Sequence, residues 1–132
     1  LSFYVPALLG IRYLPALVIS FLITDFFIGF HTLALFTWGS IIFIGYLSIY
    51  FVNSLRSRIS GALIGACLFY LITNFGVWSL GSYSYSINGL ITSYTMAIPF
   101  FAYSLISTFI FSGIIEALYN FINIKKINCK IN

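Results

Sequence analysis

Polar positions along this chain are few and clustered, with long apolar runs between the clusters. Leu1–Gly10 is apolar but short of the roughly 20 residues that a bilayer crossing needs, so it reads as the end of a helix that begins upstream. Arg12 follows, then an apolar segment at 13–30, a turn at His31–Thr32 and a second apolar segment at 33–53. NSLRSR (53–58) is the first basic loop, 60–80 is a third long apolar segment, and GSYSYSING (81–89) is a polar turn without a charge. The last apolar stretch runs from 90 to about 122 and gives way to NIKKINCKIN, a polar tail at 123–132. Runs of this length with so few charges predict helices that span a membrane, because only helices satisfy every backbone group internally in lipid. The expected fold class is all-α: one polytopic transmembrane helix bundle over residues 1–132.

Composition sharpens that reading. Of 132 residues, 61% are hydrophobic, 20% aromatic and only 6% charged. Soluble domains carry roughly 25% charged residues, since water must wet their surface. The expected surroundings are therefore a lipid bilayer, with the chain a multi-pass protein of the cell (inner) membrane. The net charge of +4 comes from six scattered cations, which form no patch for a nucleic acid. They serve better as topology markers. Arg12 and the Arg56/Arg58 pair are separated by two spans and so share a side. If 90–122 crosses once, Lys125, Lys126 and Lys130 return to that side, and all six cations face the cytoplasm.

The stretch 90–122 is longer than one crossing requires, and Pro99 interrupts it. Proline removes a helical hydrogen bond and disfavours helix at the residue before it. The expectation is a short helix at 88–98, a break at Pro99, and a full span from Phe100 to Ile122. Broken segments survive at membrane depth only when packed on protein or lining a cavity, so Pro99 joins Gly61 and Gly65 as a helix-packing position. Gly61-x-x-x-Gly65 allows a second helix to approach closely.

The remaining polar residues decide which chemistry is open. One histidine, one aspartate and one glutamate lie on separate segments, a poor set for a metal. There is no catalytic triad order and no phosphate-binding loop. The chain is therefore not expected to be an enzyme or to hold a cofactor, and any ATP-driven work falls to another subunit. Cys67 and Cys129 read as free thiols. Asp25 lies thirteen residues beyond Arg12, about 20 Å up its helix, and Asn74 sixteen residues beyond Arg58, about 24 Å up its own. Tyr70, Asn74 and Trp78 recur every fourth residue and share one stripe. Asp25 and this stripe are expected to border one outward-opening pocket, although Asp25 also suits a buried structural acceptor. Asp25 and His31 are six apart and do not share a helical face, so His31 reads first as a cap at a helix end at the outer interface. The candidate substrate-binding set is Asp25, His31, Tyr70, Asn74, Trp78 and Tyr94. Trp78, Tyr83 and Tyr85 also suit an interfacial aromatic belt. Glu116 is read as structural, satisfied by Asn120 or by a cation at the inner interface.

LITNFGVW (71–78), together with DFFIGFH (25–31) and AIPFF (97–101), carries a resemblance. In this order and spacing the chain resembles an uncharacterised bacterial integral-membrane family, domain of unknown function 6580, which itself resembles the S components of energy-coupling factor (ECF) transporters. The resemblance covers nearly the whole chain. It implies about six helices in the full-length protein, with the first helix and the start of the second lying before Leu1. It also implies a substrate-binding subunit for a small nutrient such as a vitamin or its precursor. The implied partners are a membrane T subunit and two ABC ATPases that drive release inward. The competing expectation is a structural or accessory membrane subunit without transport activity, in which the polar groups only lock helices together.

Overall fold

A computed structural model describes residues 2–131, with side chains described as far as Asn123. Five α-helices follow one another: α1 (Tyr4–Leu9), α2 (Leu14–Ile28), α3 (Ala34–Leu47), α4 (Leu55–Ser79) and α5 (Ile87–Ile131). Single 3-10 turns at Ile11–Tyr13 and Ser48–Phe51 lead into α2 and out of α3. Among the described residues there is no strand. The helix ends follow local chemistry. Gly10 and Gly29 close α1 and α2 at φ +100° and +109°, a backbone region in which a side chain is strained. The hydroxyl of Ser54 starts α4 by accepting the Ser57 N–H at 3.2 Å, the usual service of an N-cap serine.

Four segments are long and apolar enough to cross a membrane: Ile11–Ile28, Ala34–Phe51, Leu55–Ser79 and Ile87–Asn123. They run up and down in succession, each packed on the next, with the most extensive packing between α4 and α5. Arg12 and Arg56 therefore mark one end of the bundle. The turns at His31 and at Ser82–Ser86 mark the other. Few apolar side chains are buried, while Phe27, Ile28, Leu35, Phe100 and Tyr103 are among many that lie open. That inversion is compatible with a chain embedded in lipid, where apolar surface carries no penalty. The small core sits toward the arginine end, where Phe3 and Tyr4 of the N-terminal segment meet Ile44 of α3 and Ala62 of α4.

One expectation fails here. No break occurs at Pro99: α5 passes straight through it, so the short helix at 88–98 and the span at 100–122 are one element. The Pro99 ring is exposed and is not a packing contact. The physical reason is a comparison of losses. Proline forfeits one backbone hydrogen bond, whereas a break would leave up to four C=O groups unpaired at the helix end before it and up to four N–H groups at the helix start after it. In an apolar setting each unpaired group costs several kcal/mol, so the continuous helix wins. Gly61 and Gly65 do sit at close approaches. A Cβ on Gly61 would stand 2.5 Å from the Phe3 ring and 2.7 Å from that of Phe51, and one on Gly65 would stand 3.0 Å from Ile44. The tail expected from 123 onward lies, beyond Asn123, outside the residues whose side chains are described.

Candidate functional site

The six residues expected to bind a substrate do not converge on one pocket. Asp25 turns toward α3, where its Oδ2 accepts the indole N–H of Trp38 at 2.7 Å. Asp25 and Trp38 are equidistant from the His31–Thr32 turn, so the antiparallel α2–α3 hairpin brings them level. His31 is exposed in that turn, and its backbone carbonyl rather than its side chain accepts the Ala34 N–H that opens α3. The stripe on α4 does face α5. The Tyr70 hydroxyl donates to the carbonyl of Tyr94 at 2.7 Å, and the Tyr94 hydroxyl donates back to the carbonyl of Leu71 at 2.8 Å. Tyr70 also stacks on Phe101 with centroids 4.3 Å apart. Asn74 is buried and donates to the carbonyl of Tyr70, and the Trp78 indole donates to the carbonyl of Ser86 at 3.2 Å. The polar reach of Asp25 and Tyr70 is thus taken up by helix-to-helix bonds, and that of Trp78 by a bond to the turn before α5. The expected shared rim of Asp25, Asn74 and Trp78 does not form: α2 packs on α3, α3 on α4 and α4 on α5, with no comparable packing of α2 on α4 or α5.

The other end of the bundle holds a feature that the sequence hid. Arg58 belongs to the first turn of α4 rather than to a solvated loop, and it is buried. Its Nε and Nη2 donate to the two oxygens of Glu116 on α5, both at 2.6 Å, and Nη1 donates to the carbonyl of Val52 at 3.0 Å. The guanidinium lies 5.4 Å from the ring of Tyr119. Glu116 is 2% exposed, so this is a buried, two-pronged ion pair in which each charge neutralises the other. An inner cation does satisfy Glu116, and that cation is Arg58.

Directly above the pair lies a cavity of about 340 Å³ between the N-terminal segment, α3, α4 and α5. Its volume falls within the range of small-molecule sites. Phe3, Phe69 and Phe111 supply aromatic wall, and α5 contributes Ser104, Ser107, Thr108 and Ser112. Elsewhere on these helices most Ser and Thr hydroxyls turn back onto carbonyls three or four residues earlier, as Ser40, Thr73, Ser93 and Thr95 do. The four cavity hydroxyls of α5 make no such bond among the described residues. Tyr4 also lines the cavity and is 5% exposed. Its hydroxyl lies beside Ser112 and Glu116 yet forms no hydrogen bond. Both oxygens of Glu116 are already engaged by Arg58. A buried hydroxyl without a partner costs about 1–3 kcal/mol, and this one stands at the wall of a cavity rich in unbonded hydroxyls. Among the described residues no charged side chain lines the space. Among the described residues no cluster of His, Cys, Asp or Glu is placed to hold a metal.

Sequence comparison sets this geometry in a family. A family model described as "Family of unknown function (DUF6580)" matches residues 9–129. The chain belongs to this family. The match takes in α2 to α5 and the 3-10 turn before α2, and so the α4 and α5 walls of the cavity together with both partners of the ion pair. Phe3 and Tyr4 precede the DUF6580 match. No curated protein and no solved structure matches the chain.

Proposed function

We propose that this DUF6580 chain is a membrane-embedded substrate-binding subunit for uptake of a small nutrient, such as a vitamin or its precursor, energised by separate subunits. The observation that supports the reading is the cavity: a ligand-sized space in the bundle, with aromatic walls and six hydroxyls, those of Ser2, Tyr4, Ser104, Ser107, Thr108 and Ser112, that bond no partner among the described residues. A bundle whose polar groups served only to lock helices would pair them, as the bundle does at Asp25–Trp38 and Tyr70–Tyr94. The proposed binding residues therefore shift from the Asp25, Asn74 and Trp78 region to Ser112 and its neighbours. The sequence carries no phosphate-binding loop, and a membrane T subunit and two ABC ATPases remain the proposed partners. The arginine end is proposed to face the cytoplasm, in keeping with the positive-inside preference.

Purification from native membranes in mild detergent tests the reading. The expected result is recovery of an ABC ATPase pair and a second membrane protein in fixed ratio with this chain. Recovery of a complex without any ATPase, with uptake unaffected by deletion, would overturn the reading in favour of a structural subunit.

A further inference from the structure

We infer that the cavity between the N-terminal segment and α5 takes a neutral, flat molecule carrying a carbonyl or amide, with Ser112 as its principal hydrogen-bonding contact. The inference rests on the binding-subunit reading and adds the chemistry of the ligand and the residue that selects it.

Charge comes first. The lining contains no ionised side chain. Among the described residues the ionised groups nearby are Arg58 and Glu116, and each is consumed by the other through two bonds of 2.6 Å. A charged ligand would lose its water without gaining a counter-ion, at a penalty of several kcal/mol. Neutral ligands escape that penalty. Shape comes next. Phe3, Phe69 and Phe111 offer ring surface, against which a planar molecule buries the most area per atom.

Polarity then narrows the class. Ser104, Thr108 and Ser112 lie at successive fourth positions and so form one line along α5 facing the cavity. Hydroxyls both donate and accept, which suits an amide or carbonyl better than a hydrocarbon tail. The deepest member is Ser112, 2% exposed, with the unpartnered Tyr4 hydroxyl beside it. When Ser112 donates to a ligand carbonyl, a small rotation lets its oxygen accept from Tyr4. The two bonds then polarise one another. Tyr4 thus acts as a positioning residue behind Ser112. A lipid chain has no group to bond either hydroxyl, which is why it is not the occupant assigned here.

The test uses 4-azidobenzamide, a neutral aryl amide, as a photolabel on the purified full chain in lipid nanodiscs, with peptide mapping by mass spectrometry. Labelling is expected at the cavity positions Ser104, Thr108, Ser112 and Ile115 and at Phe3–Tyr4, competed by benzamide but not by benzoate or benzamidinium. Ser112→Ala is expected to weaken competition about five- to tenfold, the loss of one hydrogen bond. Tyr4→Phe is expected to weaken it while raising the melting temperature of the empty protein, because a buried unsatisfied hydroxyl has gone. A hydroxyl with a purely structural role would move the melting temperature alone. Labelling spread over lipid-facing positions such as Phe109, competition by oleate instead of benzamide, or indifference to Ser112→Ala would overturn the inference. Because no ATPase or T subunit is present, a failure here with a recovered transport complex rejects the ligand chemistry alone. Specific labelling without such a complex rejects the transport role alone.

Discussion

Breaking the Arg58–Glu116 pair should damage the bundle more than any other single polar change. Arg58→Met keeps most of the side-chain stem but leaves a carboxylate that is 2% exposed without its two 2.6 Å donors. Removing one partner of a buried pair costs about 3–5 kcal/mol, chiefly for the charge left behind. The lost bond to the Val52 carbonyl adds about 1 kcal/mol. Glu116→Leu strands the guanidinium in the same way, with the Val52 bond and the Tyr119 ring as partial relief. The double variant Arg58→Met/Glu116→Leu buries no charge and should fall within about 2 kcal/mol of the parent, because apolar replacement of a buried pair is often near neutral. The singles should therefore be far from additive, with a coupling of at least about 3 kcal/mol. Reversible unfolding in mixed micelles, followed by the fluorescence of Trp38 and Trp78, measures all four corners of the cycle. Single variants costing under about 1 kcal/mol each, with an additive double, would refute the claim that this pair is dry and mutually dependent.

Other perturbations probe the remaining contacts. Asp25→Asn should be tolerated, since an amide oxygen still accepts from Trp38, whereas Asp25→Leu should cost about 1.5–3 kcal/mol in the same unfolding assay; equal losses would mean that the charge itself matters. Gly61→Leu should destabilise by about 1–3 kcal/mol through collision with Phe3 and Phe51, while Gly113→Leu, with no atom within 4 Å of its added Cβ, should not. In a cysteine-free background, Ser84→Cys should react with an impermeant maleimide in intact cells and Arg56→Cys should not; the reverse pattern would invert the proposed orientation.

What the sequence disclosed, and what it withheld, follows from range. Apolar runs announced the spanning helices to within a few residues, because length and hydropathy are local properties. The Asp25–Trp38 bond had a legible signal in the equal spacing of the two residues from the His31–Thr32 turn. Tyr70 and Tyr94 likewise sit symmetrically about Ser82, within the α4–α5 turn. Pro99 misled because local propensity points to a break, while the demands of the whole backbone in an apolar setting outweigh it. Arg58 and Glu116 are 58 positions apart on helices whose crossing no pattern specifies, so their pairing was not legible. The cavity was hidden for another reason: Ser104, Thr108 and Ser112 look like ordinary hydroxyls of a membrane helix until the structure leaves them unbonded.

The central claim is that a neutral small molecule occupies the space above the ion pair. Native mass spectrometry of the gently purified chain, released from detergent in the gas phase, addresses it most directly. The account predicts a retained mass of a neutral, ring-containing compound, depleted in Ser112→Ala and retained in Asp25→Asn. Phospholipid alone on the parent protein, or a ligand that Asp25→Asn removes and Ser112→Ala leaves in place, would contradict it.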